Sequence, residues 1–88
     1  MKFQIITPND IAVQEEVTQV SLPGAVGNFM VLHNHAPLIS TLVKGKITYR
    51  TNEKTNETEI EQGVVEIKEN VIRVFTEQVI QGGDENEA

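Results

Sequence analysis

Two histidines, His33 and His35, stand two residues apart in the stretch His-Asn-His-Ala-Pro. Imidazole nitrogens bind metals and exchange protons near neutral pH, so this pair is the first place to look for chemistry. On an extended backbone the two rings point to opposite sides; in a loop they can converge. The carboxylates are more numerous. Glu57, Glu59 and Glu61 alternate along one stretch, and Glu66 and Glu69 follow. Three like charges on one face repel if buried, so alternation with other residues predicts a solvated strand face. Neither Ser21 nor Ser40 sits in a nucleophile elbow. Gly24 and Gly27 lead into a strand-like run, not a helix N-terminus, so they form no phosphate loop. These residues predict no catalytic group and no cofactor-binding group.

The remaining enzymatic reading rests on the histidines. Gly27 followed by His33-Asn34-His35 resembles the opening of a cupin metal motif, which continues with a glutamate three or four residues further on. Ile39 and Ser40 hold those places. A catalytic zinc site usually takes three protein ligands, and the chain has two histidines and no cysteine. A small cupin-like metal enzyme using His33 and His35 therefore stays as the alternative, and no metal site is predicted.

Charge and size narrow the partners. Seven Lys and Arg face thirteen Asp and Glu over 88 residues, a formal charge of -6. Nucleic-acid affinity comes largely from cations set against phosphates, and anionic lipid surfaces make the same demand. Neither partner is expected. The longest apolar runs, such as Phe29 to Leu32, fall far short of the roughly 20 residues that span a bilayer as a helix. Met1 to Ile6 lacks the features of a signal peptide.

The elements that must position these residues are strands. Eleven Val, nine Ile and eight Thr outnumber four Leu and four Ala, and β-branched side chains suit a pleated surface. No sustained helical apolar period is present. The reading is an all-β domain, a flattened β-sandwich or barrel of about ten short strands. Strands are predicted at Lys2 to Ile6, Ile11 to Val13, Glu16 to Leu22, with Thr18, Val20 and Leu22 on one face, and Gly27 to Leu32. Pro23-Gly24 is expected to break the third, and the Gly27 run to be buried on both sides. His33 to Pro37 is a loop, and Ile39 to Val43 the next strand. Lys46 to Thr51 pairs with Thr58 to Glu61 across a loop at Asn52 to Glu57. A second hairpin runs from Gly63 through a turn at Glu69-Asn70, and Val79-Ile80 adds a last short strand. The domain is placed at residues 1–82, with an acidic tail at 83–88.

The stretch from Gly27 to Leu38 resembles the epsilon subunit of the F-type ATP synthases. That family's pattern is a glycine, a variable position, Leu-Gly-Ile, two variable positions, then Gly-His-Ala-Pro-Leu. Here His35, Ala36, Pro37 and Leu38 match at the same spacing from Gly27. Lys44-Gly45-Lys46-Ile47 resembles the family's Pro-Gly-x-Ile turn, and Gln62-Gly63-Val64-Val65-Glu66-Ile67 its Gly-Gly-x-x-Glu-Val strand. Phe3 to Pro8 resembles its first strand. The likeness runs from about residue 3 to residue 85.

The resemblance implies a flattened β-sandwich at the foot of a central stalk, between the gamma subunit and the ring of c subunits. It implies a non-catalytic, cofactor-free rotor role that couples shaft to ring during proton- or sodium-driven ATP synthesis. By position it implies c-ring contacts at Gly27, Asn28 and Phe29, and gamma contacts at Thr7, His35, Ala36, Pro37 and Ser40. It also implies a peripheral place on the cytoplasmic face of a bacterial inner membrane. Three departures stand out. The family's C-terminal helical pair has no counterpart, so a short form without its inhibitory or ATP-binding properties is expected. Asn28 replaces a common Glu, which removes a charge-assisted contact to arginine. Met30 replaces a glycine, and its flexible side chain predicts local repacking. A third reading, an unrelated β-sandwich adaptor, shares only turn chemistry with this family.

Overall fold

The computed structural model describes residues 1–81. Every regular element among them is a strand: β1 Lys2–Ile6, β2 Ile11–Glu16, β3 Gln19–Gly24, β4 Gly27–Leu32, β5 Leu38–Leu42, β6 Gly45–Arg50, β7 Thr55–Ile60, β8 Gly63–Lys68, β9 Val71–Thr76 and β10 Val79–Gln81. Among the described residues no helix is long and apolar enough to cross a membrane. The expected acidic tail at 83–88 lies outside the described residues.

Hydrogen bonding links the strands in the order β10-β7-β6-β3-β5-β8-β9-β1-β2, with β4 beside β3. This path folds into two layers. β5 and β6 are both antiparallel to β3, which pairs through Gln19 to Ser21 with β6 and through Gly24 with β5. The chain therefore passes from one layer to the other along β3. Two backbone bonds hold the crossing, Val43 N–H to Pro23 O at 2.9 Å and Ala25 N–H to Thr41 O at 3.1 Å. β1 and β9 form the parallel pair, from Lys2↔Val71 to Ile6↔Phe75.

Alternation explains the core. Phe3 and Ile5 of β1, Val20 and Leu22 of β3, Ile47 and Tyr49 of β6, Val65 and Ile67 of β8, and Ile72 and Val74 of β9 all point inward and are buried. Each side chain of this size withdrawn from water contributes about 1.5–3 kcal/mol before entropy is subtracted. Phe3 and Tyr49 belong to opposite layers, and their rings meet at 4.9 Å between centroids and 45° between planes.

Four expectations change. β3 runs through Pro23 and Gly24 and does not break there, because Pro23 can still accept a hydrogen bond through its carbonyl while lacking a donor. Thr18 is exposed and lies before β3, its hydroxyl donating to the Arg50 carbonyl at 3.3 Å, so it does not share the inward face of Val20 and Leu22. β4 is not buried on both sides: it pairs only with β3, only Val31 is buried, and Asn28, Met30 and Leu32 are exposed. β7 begins at Thr55, inside the expected loop, because Asn56 and Thr58 face inward beside Ile60. Polar residues on an inward face hide a strand from hydrophobic alternation.

Candidate functional site

The residues singled out by sequence fall in three places. Gly27, Asn28 and Phe29 open β4, just after the tight link from β3. Gly27 has φ of 131°, a backbone region that L side chains rarely adopt. Asn28 projects into solvent, while Phe29 is half-buried and packs against the core. The ring thus anchors the strand, and the exposed surface there is carried by Gly27, Asn28 and the fully exposed Val26 at the tip. Val26 carries no sequence signal of its own. Its exposure follows from the chain reversal between Gly24 and Gly27, which pair directly.

His35, Ala36 and Pro37 lie at the other end of the molecule. β4 ends at Leu32, opposite Gln19, and the loop then leads into β5. The His35 amide donates to the Leu32 carbonyl at 3.1 Å. The ring Nδ1 lies 2.7 Å from the Ala36 carbonyl, a contact that fits a protonated Nδ1 donating to oxygen. His33 is exposed, and among the described residues no group of three His, Cys, Asp or Glu side chains is placed to hold a metal.

Thr7 and Ser40 sit apart from that loop. Thr7 closes the turn after β1: its hydroxyl lies 3.2 Å from the Asp10 carbonyl and accepts the Asp10 amide at 3.3 Å. Ser40 pairs with Val65 in the β5–β8 ladder, on the inward face between Leu38 and Leu42. Its neighbours Ile39 and Thr41 are the ones that face outward. The structure therefore brings Thr7 close to Thr41, and leaves His35 at the far end of β5.

Between these points lies a surface that the sequence pattern did not announce. Val64, Phe75, Ile6 and Ile11 stand opposite one another on β8, β9, β1 and β2. Three of them are well exposed: Val64 at 40%, Phe75 at 42% and Ile11 at 50%. Thr41 continues the row onto β5. At about 4.8 Å per strand the row runs for roughly 19 Å. It borders an open cleft of about 620 Å³ whose lining includes Ile6, Thr7, Pro8, Thr41, Val64 and Phe75. Next to it a polar row crosses the same face, with Arg73 and Glu66 at 3.6 Å and Gln4 donating to Gln14 at 3.1 Å. Ile39, 72% exposed, stands beside Glu66. An apolar band with charged neighbours on a flat sheet face is the form of a protein-docking surface and not of a catalytic pocket. Ile6, Val64 and Phe75 each alternate with a buried neighbour, and only the register brings the outward positions of four strands into one row.

Comparison with known proteins places this arrangement. A family model described as ATP synthase, Delta/Epsilon chain, beta-sandwich domain matches residues 1–82. The chain belongs to that family. An ATP synthase epsilon chain of Leptospira interrogans serogroup Icterohaemorrhagiae serovar copenhageni is 40% identical over 77 residues, covering 88% of this chain and 61% of the relative. One of Nitratidesulfovibrio vulgaris strain DP4 is 32% identical over 84 residues, covering 96% and 63%. The chain thus spans a little over three-fifths of the length of these relatives. Among solved structures, the Euglena gracilis mitochondrial ATP synthase, determined as OSCP, F1 and c-ring, aligns with a TM-score of 0.82 at 17% identity, over 90% of this chain and 51% of the other. The Tetrahymena thermophila central stalk and c-ring structure aligns at 0.78 and 10% identity, over 92% and 66%. At these identities the structural matches speak for the fold. The cupin-like and unrelated-adaptor readings are not favoured.

Proposed function

We propose that this chain is a non-catalytic central-stalk subunit of an F-type ATP synthase, joining a gamma subunit to a ring of c subunits during proton- or sodium-driven ATP synthesis. Family membership supports the assignment. The observation that carries the docking role is the exposed apolar row Val64, Phe75, Ile6 and Ile11, flanked by Thr7 and Thr41. A rotor joint must transmit torque without slipping, and a broad, flat apolar contact resists shear better than a few polar bonds exposed to water. In this reading the row and the cleft face gamma. Thr7 lies at its margin, and His35, Ala36 and Pro37 extend the contact past the start of β5, while Ser40, on the inward face, stays outside it. Gly27, Asn28 and Phe29, with Val26, face the c-ring loops. The subunit works at the membrane through its partners, on the cytoplasmic face of a bacterial inner membrane, and holds no cofactor.

The test is light scattering coupled to size exclusion on the chain mixed with gamma from the same source, alone and with solubilised c ring. A one-to-one complex with gamma is the expected result. Separate elution in both mixtures would remove the assignment.

A further inference from the structure

Among the described residues β2 pairs only with β1, β4 only with β3, and β10 covers β7 only at Glu59 and Ile60. Each of β2, β4 and β7 therefore has a free edge. An open edge is a template for another strand, and charged side chains, proline or a bulge usually blunt it. β2 ends in Glu15 and Glu16, and β7 carries Glu57 and Glu59. β4 has no charged residue and no proline, and it follows β3 in unbroken register from Gln19↔Leu32 to Gly24↔Gly27. β3 behind it is uncharged as well.

Backbone pairing fixes what β4 offers. Pro23 turns its carbonyl away from β4, to the Val43 amide at 2.9 Å. Its partner Asn28 therefore sits in a pair that exchanges no hydrogen bonds, and alternation puts Met30 and Leu32 in the same class. The N–H and C=O groups of these three residues point away from β3, at the open edge. The Leu32 carbonyl accepts the His35 amide at 3.1 Å. Among the described residues nothing pairs with the others. The Asn28, Met30 and Leu32 side chains are exposed on the outer face of the same edge, Met30 at 50% and Leu32 at 52%.

Groups spaced in this way fit an extended strand, and charge chooses which one. A chain of charge -6 repels its own copy, and self-pairing of β2 or β7 would bring carboxylates together. β4 can meet itself without any. We propose that β4 pairs antiparallel with β4 of a second copy, about a two-fold axis through Met30. Met30 then lies opposite Met30 of the second copy, Asn28 opposite Leu32, and Phe29 opposite Val31. Each pair shares a face of the sheet, because its members lie an even number of positions apart. Met30 and Leu32 gather with their counterparts into one apolar cluster over the axis, and the two-fold closes the assembly at a dimer. Five residues a side are few beside the roughly 20–30 of a standard interface, so the dissociation constant is on the order of 0.1–1 mM. The dimer leaves the Val64 and Phe75 row open on the other layer but covers Asn28. Pairing through β4 and docking on a c ring therefore exclude each other. That consequence rests on the proposed rotor role; the pairing does not.

The experiment is sedimentation equilibrium on the intact chain from roughly 10 μM to 2 mM, a range that brackets the expected constant. Backbone amide signals are followed by NMR over the same range. A monomer–dimer equilibrium is expected, with concentration-dependent shifts centred on Asn28 to Leu32. Met30→Lys sets two ammonium groups on the axis and should weaken pairing by roughly tenfold or more, while Met30→Leu should hold it within about threefold. Gln14→Lys makes the same change of charge on the β2 edge and should not weaken pairing. A monomer at every concentration would overturn the proposal. So would shifts centred on β2 or β7, a Met30→Lys dimer as tight as wild type, or equal changes in Met30→Lys and Gln14→Lys.

Discussion

Asn34 and Asn70 hold each other by two hydrogen bonds across 36 positions of sequence. The Asn34 amide donates to Asn70 Oδ1 at 2.7 Å, and Asn70 Nδ2 donates to Asn34 Oδ1 at 3.2 Å. Both residues have left-handed backbones, with φ of 67° and 61°. The Asn70 carbonyl also accepts the Lys2 amide at 3.0 Å. One side-chain pair thus ties the histidine loop to the β8–β9 turn and to the start of β1. The family pattern has glycine where Asn34 stands. Asparagine tolerates the same backbone and adds a side chain that glycine lacks.

Substitutions at Asn34 separate the two contributions. Asn34→Gly keeps the left-handed backbone and loses the side-chain acceptor, so a cost of about 1 kcal/mol or less is expected. Asn34→Val also forces a β-branched residue into that backbone, which adds about 1–2 kcal/mol. Urea denaturation of both variants checks the order. Equal midpoints would mean that the backbone imposes no strain here.

Gly63 tests a different constraint. It starts β8 opposite Thr76, and a Cβ there would collide with the Phe75 carbonyl oxygen. Backbone in a paired strand cannot retreat as a flexible side chain can. Gly63→Ala is expected to cost about 1–3 kcal/mol, which lowers the thermal midpoint by roughly 4–8 °C per kcal/mol in a domain of this size. The same substitution at Gly27, where a Cβ would meet nothing within 4 Å, probes φ alone. Calorimetry on the two variants distinguishes collision from strain.

Much of this architecture is legible from β-branched composition and period-two alternation, as Val65 and Ile67 against Glu66 and Lys68 illustrate. What alternation cannot supply is an absolute face. Phe75 is as apolar as the buried Phe3 and alternates with the buried Val74, and only its pairing with Val64 and Ile6 shows that it belongs to an apolar row. Asn56 fails in the opposite direction, since a polar residue read as loop lies inside a strand. Likeness to a family's sequence carries no information about which way a strand residue such as Ser40 points. The Asn34–Asn70 pair joins two turns through side chains, and no local pattern encodes such a contact.

The Phe3–Tyr49 contact predicts how the two layers depend on each other. Phe3 is fully buried, and its ring tilts against Tyr49 from the other layer. Phe3→Ala leaves a cavity between the layers and is expected to cost about 3–5 kcal/mol, a large share of a small domain's stability. Phe3→Leu keeps most of the volume and should cost less than half as much. Thermal unfolding followed by circular dichroism measures both. A Phe3→Ala midpoint within a few degrees of wild type would mean that the layers close around the gap.

Phe75 and His35 together decide whether the apolar row or the histidine loop dominates docking. Phe75 is 42% exposed at the centre of the row, so Phe75→Gln removes contact area from any partner seated there while disturbing little of the core. Central apolar anchors commonly cost 2 kcal/mol or more when truncated, against much less at a rim. Phe75→Gln is therefore expected to weaken gamma binding by roughly thirtyfold, and His35→Ala by less than tenfold, with thermal midpoints near wild type in both. Titration calorimetry against gamma gives the two dissociation constants. The reverse order would move the centre of the interface to the loop that Asn34 and Asn70 hold in place, and would make their pairing the determinant of affinity.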